Sequence, residues 1–193
     1  MITAKKITDF SVAEPAIQEK NFWIHYSKHY LKYVDTVNEL MKPGMEDLSI
    51  RQMINQFPIG SVLYNNAAQV FNHEFFFEQF TGNVNSPSEQ FMDLLYHSGY
   101  DSFTDFVDDI IEQGSKLFGS GYIWVIERFG TLRVVTSENA INFAHNKYNK
   151  YILTIDLWEH SYYLDYLNDK KQYIKNILHC IDWDVISKRL WKD

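Results

Sequence analysis

The sequence predicts an α+β fold: an all-helical N-terminal half, then a C-terminal half with a small antiparallel sheet flanked by helices. Three observations carry this. Apolar residues recur at helical spacing through the first half of the chain. The period then changes to that of strands in "GYIWVIERF", "TLRVVTS" and "YILTI". Helical spacing returns over residues 160–191. The chain has 193 residues, 46% hydrophobic and 17% aromatic, enough for one or two small domains with a packed core and far from a disordered composition.

The elements are predicted as follows. Residues 14–40 form a helix that "KPG" stops. A short helix covers 48–56 and is broken by "FPIG". A third runs over 64–80, with Gly82 just past its end. "GNVNSPSEQ" is a linker that closes with a helix start, Ser86 as N-cap, Pro87 in the first helical position and Glu89 completing a capping box. That helix ends near Gly99, and another spans "SFTDFVDDIIEQGSKLF". Two strands joined by a turn at Gly130 follow, then the loop "ENAINFAHNKYNK" and the third strand.

Composition excludes several functions. A net charge of −7 argues against nonspecific nucleic-acid binding, which needs a basic footprint. The single cysteine, Cys180, forbids an intrachain disulfide and a thiolate metal cluster. No stretch has the apolar length of a membrane span. "MITAKKITDF" has no apolar signal region. A cytoplasmic location is the expectation, or an organelle if a presequence has been removed.

The seven histidines are not alike. His25 and His29 share a helix face that Tyr33 continues, and Gln69 precedes His73 by one turn. Asp156 lies between Ile155 and Leu157 and precedes His160 by one turn, so a carboxylate and an imidazole sit in an apolar neighbourhood. Burying either alone is costly, and each needs a hydrogen bond, an opposite charge or a metal. Taken singly each histidine reads as an ordinary core or surface residue, as do His97, His145 and His179, and Asp156 as a helix cap in a D-x-x-E arrangement with Glu159. Taken together, three imidazoles and one carboxylate suit iron or manganese. Periodicity alone does not make them converge. A non-haem iron oxygenase with two histidines and one carboxylate fits the composition about as well, though a sheet-borne histidine–acid pair is missing.

The blocks "HYSKHYLKYVDTVNEL", "NNAAQVFNHEFFF", "FGSGYIWV", "DLWEHSYYLDY" and, more weakly, "DWDVISKRL" resemble the iron/manganese superoxide dismutase family over nearly the whole chain. The resemblance implies a helical-hairpin domain over 1–84 and an α/β domain with a three-stranded antiparallel sheet over 85–193, with one metal between them. It implies His25, His73, Asp156 and His160 as ligands, with solvent as a fifth. Tyr33 and His29 would gate the substrate channel, and the Gln69 amide would reach the bound solvent. Trp124, Trp158, Phe77 and Tyr122 would enclose the site. Glu159 and Tyr163 would cross the two-fold axis of a homodimer, to His160 and His29 of the other subunit. The substrate would be superoxide, converted to dioxygen and hydrogen peroxide. The alternative is a non-catalytic structural or interaction subunit that retains the fold.

The same resemblance points to iron, one per chain, with manganese or dual-metal use as the fallback. Iron-type members carry the amide in "NNAAQ", where manganese-type members have glycine and bring a glutamine from the sheet region. Here Gln69 is present, no glutamine lies between Gln113 and Gln172, and Ala140 leaves room near the alternative position. The chain departs from the family at Phe77 and Tyr122, where tryptophans are usual, at Tyr30, where a histidine is usual, and at Lys170, where an arginine is common. Lys28, Lys32 and Lys170 either steer an anionic substrate or form a solvated face.

Overall fold

The computed structural model describes residues 1–143 and 146–190; His145 and Trp191 lie outside the described residues. Helix α1 (Glu19–Ile24) runs without interruption through a π-helical stretch, His25–Tyr30, into α2 (Leu31–Leu40). The sequence predicts one α-helix here, starting earlier. The structure begins it at Glu19, after a run of turns, and widens it around the first histidines. Apolar spacing does not reveal such a widening, because adding a residue to one turn leaves the buried stripe nearly continuous.

Ser49 caps α3 (Ile50–Gln56) through a complete capping box with Gln52. Helix α4 (Val62–Phe77) is capped by Ser61 and buries residues all round its circumference, from Leu63 and Tyr64 to Phe76 and Phe77. A helix apolar on every side belongs in the interior, and α4 packs on α2, α3 and the sheet. Helix α5 (Glu89–His97) corrects the predicted cap. Ser88 accepts from the Phe91 backbone, and Ser86 is not the cap. Ser86 and Ser88 are equivalent to a pattern search, but only Ser88 precedes the first helical N–H groups. Helix α6 (Phe103–Lys116), capped by Ser102, follows.

The sheet has the order β2-β1-β3, all antiparallel. Strands β1 (Gly121–Arg128) and β2 (Thr131–Glu138) are joined by Phe129 and Gly130, both at positive φ, as a tight two-residue hairpin requires. Strand β3 (Lys150–Asp156) pairs on the other edge of β1 and places Tyr122 directly opposite Asp156. Gly121 is required where it stands, since a Cβ there would meet the Ser137 carbonyl at 1.9 Å.

The C-terminal segment is helical as predicted, and divides into three helices. Helix α7 (Glu159–Tyr166) stops where Leu167 adopts φ 52°. Helix α8 (Lys170–Ile177) is capped by Asp169, and α9 (Trp183–Leu190) follows a short 3-10 turn. No glycine or proline marks these breaks.

Asp182 anchors α9. It accepts from Thr81 Oγ1 at 2.6 Å, Asn85 Nδ2 at 2.8 Å and the Asp184 backbone at 3.0 Å. Burial alone would raise its pKa, but these bonds to the charged form outweigh it and hold the carboxyl below its ordinary value. A depressed folded pKa stabilises the fold above the unfolded value, near 3.9, and that contribution is lost as pH falls through the folded one. Asp182→Asn is therefore expected to cost about 1–3 kcal/mol at neutral pH. The gap to wild type, read from urea unfolding, should narrow as pH drops below about 4.

Candidate metal centre

Four elements deliver one side chain each to a common point. His25 comes from the π-helical stretch, His73 from α4, Asp156 from the end of β3 and His160 from the first turn of α7. Their ligating atoms all lie within 4.8 Å of one another. Asp156 Oδ2 is 3.4 Å from His25 Nε2, 3.8 Å from His73 Nε2 and 3.7 Å from His160 Nε2. His25, His73 and Asp156 are fully buried.

None of these four inward atoms has a hydrogen-bond partner. Buried polar atoms are normally paired, so four orphans aimed at one point fit a cation that the donor set would bind: borderline nitrogen with one hard oxygen and no sulfur. The outer atoms of His73 and Asp156 are held. His73 Nδ1 donates to the Gln69 carbonyl at 2.7 Å, which leaves Nε2 as a lone pair facing the cluster. Asp156 Oδ1 accepts from the Trp158 backbone at 2.8 Å, so Asp156 does not cap α7 and forms no capping box with Glu159. Burial would raise the Asp156 pKa, but His160 and His25 outweigh it, and the carboxylate stays ionised. Burial also lowers the pKa values of His25 and His73, which keeps both imidazoles neutral and able to ligate.

Aromatic side chains pack around the cluster. Phe77 packs its ring 5.1 Å from His25 and 5.9 Å from His73. His29 stacks on His160 at 4.0 Å, and burial with the neighbouring His160 and His25 holds its pKa down to about 4. The Tyr33 ring lies 5.2 Å from His73, and burial, helped by the Asp156 charge, pushes its pKa up to about 12. Trp158 stacks near His160, its indole N–H donating to the Asn139 carbonyl at 3.2 Å. Trp124 donates to Ser137 Oγ at 2.9 Å and lies against Tyr122. Tyr33, Gln69, Trp158 and Ala140 line a cavity of about 250 Å³ with Asn65, Asn66 and Asn139.

Two features were missed by sequence reasoning. Asn142 Nδ2 donates to Asn72 Oδ1 at 3.0 Å, and Asn72 Nδ2 donates to the Ala140 carbonyl at 3.2 Å. The sheet-side amide thus binds Asn72, one residue before His73. Tyr122 donates to Gln69 Oε1 at 2.6 Å. Lys170 is tied to the end of a neighbouring helix. Its ammonium donates to the Leu117 carbonyl at the end of α6, at 2.7 Å, and burial lowers its pKa. Lys28 lies over the Trp23 ring at 5.6 Å.

A helical unit joined to an α/β unit, with one buried centre of three histidines and one aspartate assembled from both, defines a metal-binding protein. Two family profiles match the chain: "Iron/manganese superoxide dismutases, alpha-hairpin domain" over residues 9–81 and "Iron/manganese superoxide dismutases, C-terminal domain" over 87–189. The chain belongs to the iron/manganese superoxide dismutase family. It is similar to the protein named superoxide dismutase (Fe) of Entamoeba histolytica, 31% identical with 94% of each chain covered. It is also similar to the protein of that name from Leptolyngbya boryana, 35% identical over 90% of this chain and 89% of the relative. The corresponding Bacteroides fragilis protein is 34% identical, with 92% of each covered. Among the described residues no helix is long and apolar enough to cross a membrane.

Proposed function

We propose that this chain dismutes superoxide to dioxygen and hydrogen peroxide, with one iron per chain held by His25, His73, Asp156 and His160. The observation that carries this is the convergence of four buried, unpartnered ligating atoms. A subunit that kept the fold without chemistry would have no use for so costly a cluster. A redox-active ion held by these four residues would supply one-electron chemistry, alternating between two oxidation states.

The protein's own residues supply the rest. Asp156 would place one negative charge against the cation. Phe77, Trp124, Tyr122 and Trp158 keep bulk water from the centre. The cavity beside Tyr33 and Gln69 admits a small anion. Tyr33 Oη holds its proton at rest across the physiological range, so it donates a hydrogen bond to an anion there; of the two protons that peroxide takes up, one passes through Tyr33, which solvent reprotonates, and the other comes from solvent. His29, held neutral, stacks on His160 and shields it. Lys28 and Lys32 remain as steering groups for the anion.

The ligands divide between the units, His25 and His73 in a hairpin domain over 1–84 and Asp156 and His160 in an α/β domain over 85–193. We assign a homodimer in which Glu159 and Tyr163 cross the interface. Tyr163 is 44% exposed, and Leu164 and Leu167 beside it are 64% and 63% exposed, an apolar patch on and just beyond α7 that a second subunit would cover.

Iron as the metal is supported by Gln69, which is buried at the site while the sheet-side Asn142 is engaged elsewhere. The test is to strip the protein and reload it separately with iron and manganese, measuring superoxide consumption per bound metal. Iron is expected to restore activity. Activity with manganese alone would overturn the metal assignment and keep the dismutase; activity with neither would overturn both.

A further inference from the structure

We infer that a basic pocket between α3, α9 and the start of β3 is a second binding site, which holds a phosphate group, either free phosphate or that of a small organic molecule. Arg51 comes from α3, Lys147 from the loop before β3, Lys150 from the first position of β3 and Arg189 from α9. These four cations line a cavity of about 320 Å³, and no carboxylate lines it. The chain as a whole carries a net charge of −7, so its composition does not account for such a grouping. The pocket is separate from the metal centre. Phe75, part of its wall, stands two residues beyond His73 and so faces the opposite side of α4.

Little of this charge is neutralised. Glu78 pairs with Arg189. Among the described residues Arg51, Lys147 and Lys150 have no ion pair. Arg51 lies over the Phe71 and Tyr151 rings, at 5.7 and 5.9 Å, and Lys147 over the Tyr148 ring at 5.2 Å. Lys150 Nζ meets the Leu190 carbonyl at 3.4 Å. Cations gathered in a concavity focus a positive field that draws in anions. Guanidinium groups match a phosphate in particular, since their planar fork can donate two parallel hydrogen bonds to its oxygens.

The floor points the same way. Arg189 and Tyr151 are both buried, and the Tyr151 hydroxyl has no hydrogen-bond partner. A buried O–H without an acceptor is costly, and an oxyanion supplies acceptors. Asn149, also on the wall, has a buried Oδ1 without a donor. By turning its amide it can meet either the oxygens or the proton of a hydrogen phosphate. The volume is at the lower end of small-molecule sites, roughly 300–1,000 Å³, and the Phe75 and Tyr151 rings offer apolar surface to a short carbon chain.

The experiment titrates iron-loaded protein with inorganic phosphate and, separately, with glycerol 3-phosphate, by calorimetry at fixed ionic strength so that screening stays constant. About one phosphate group per chain is expected to bind. The double variant Arg51→Gln, Lys147→Gln should weaken it about tenfold or more, since hydrogen bonds between charged groups are the strong ones. Both side chains are exposed, so the fold should tolerate their loss. Should the double variant not fold, Lys147→Gln alone decides, with a loss of at least about threefold supporting the site and no loss overturning it. A charge-matched control, Lys42→Gln with Lys171→Gln, should bind within twofold of wild type. Tighter glycerol 3-phosphate would identify an organic phosphate as the ligand, and tighter inorganic phosphate the free ion; either supports the site. Binding of neither probe would overturn the inference, as would equal weakening in the control, which would mean bulk charge alone. Binding that persists in the double variant and shifts the visible absorption of the iron would place the anion at the metal instead, and would also overturn it. Superoxide consumption enters none of these outcomes, so failure here leaves the dismutase reading untouched.

Discussion

Asp156→Ala is expected to retain less than about a tenth of the metal per chain that wild type holds, with activity falling in proportion. Removing even an outer partner of a metal ligand typically costs about 10–100-fold in affinity, and Asp156 is the one anionic ligand of the set. The loss has a second signature. A metal that binds only the folded state stabilises it by about 4.1 kcal/mol at a thousandfold excess over its dissociation constant. Wild type should therefore melt measurably higher when loaded than when stripped, and Asp156→Ala should show no such difference. A variant with full metal content would mean that the three histidines form the site by themselves.

The second large effect lies away from the metal. Arg189→Ala is expected to destabilise the protein by roughly 3–5 kcal/mol, the usual range for breaking a buried charged contact. At this chain length that corresponds to a fall in Tm on the order of 10 °C. Arg189 is 8% exposed and projects from α9 onto the Phe75 ring, 3.6 Å from its centroid. It donates to the Phe75 carbonyl at 2.8 Å, the Ile152 carbonyl at 3.1 Å and Gln79 Oε1 at 3.1 Å. Glu78 gives its charge a partner at 3.4 Å. Gln79 in turn clamps Thr154, accepting its N–H at 2.7 Å and donating to its carbonyl at 2.8 Å. The clamp thus reaches the strand that ends in Asp156. Arg189→Lys keeps the charge but loses the planar fork, so an intermediate loss is expected from thermal melts. Equal stability of all three proteins would mean that the clamp carries no net weight.

What the sequence reveals depends on how far apart the interacting residues lie. Asp156 and His160 are one helical turn apart, as are Gln69 and His73, so their shared faces can be read from spacing. That these pairs meet His25 cannot be read from spacing, and the family resemblance was needed to predict it. The sheet was legible because β-branched and aromatic runs change the period sharply at Gly121. The break of the last helical segment at Leu167 was not, because a leucine at positive φ gives no compositional sign. The π-helical stretch at His25–Tyr30 is hidden for a related reason, since its residues are ordinary helix formers. Contacts between distant segments were invisible: Tyr122 reaches Gln69 from another element, and Arg189 reaches Gln79 from the far end of the chain. Lys170 is a related case: its sequence position gives no sign of the Leu117 carbonyl that its ammonium meets at a nearby helix end.

The dismutase assignment is tested most directly by superoxide consumption of the purified protein, measured beside iron per chain before and after chelation. About one iron per chain is expected, with fast consumption that disappears with the metal and recovers when iron is returned. Consumption that is absent while a full complement of iron is bound would contradict the assignment.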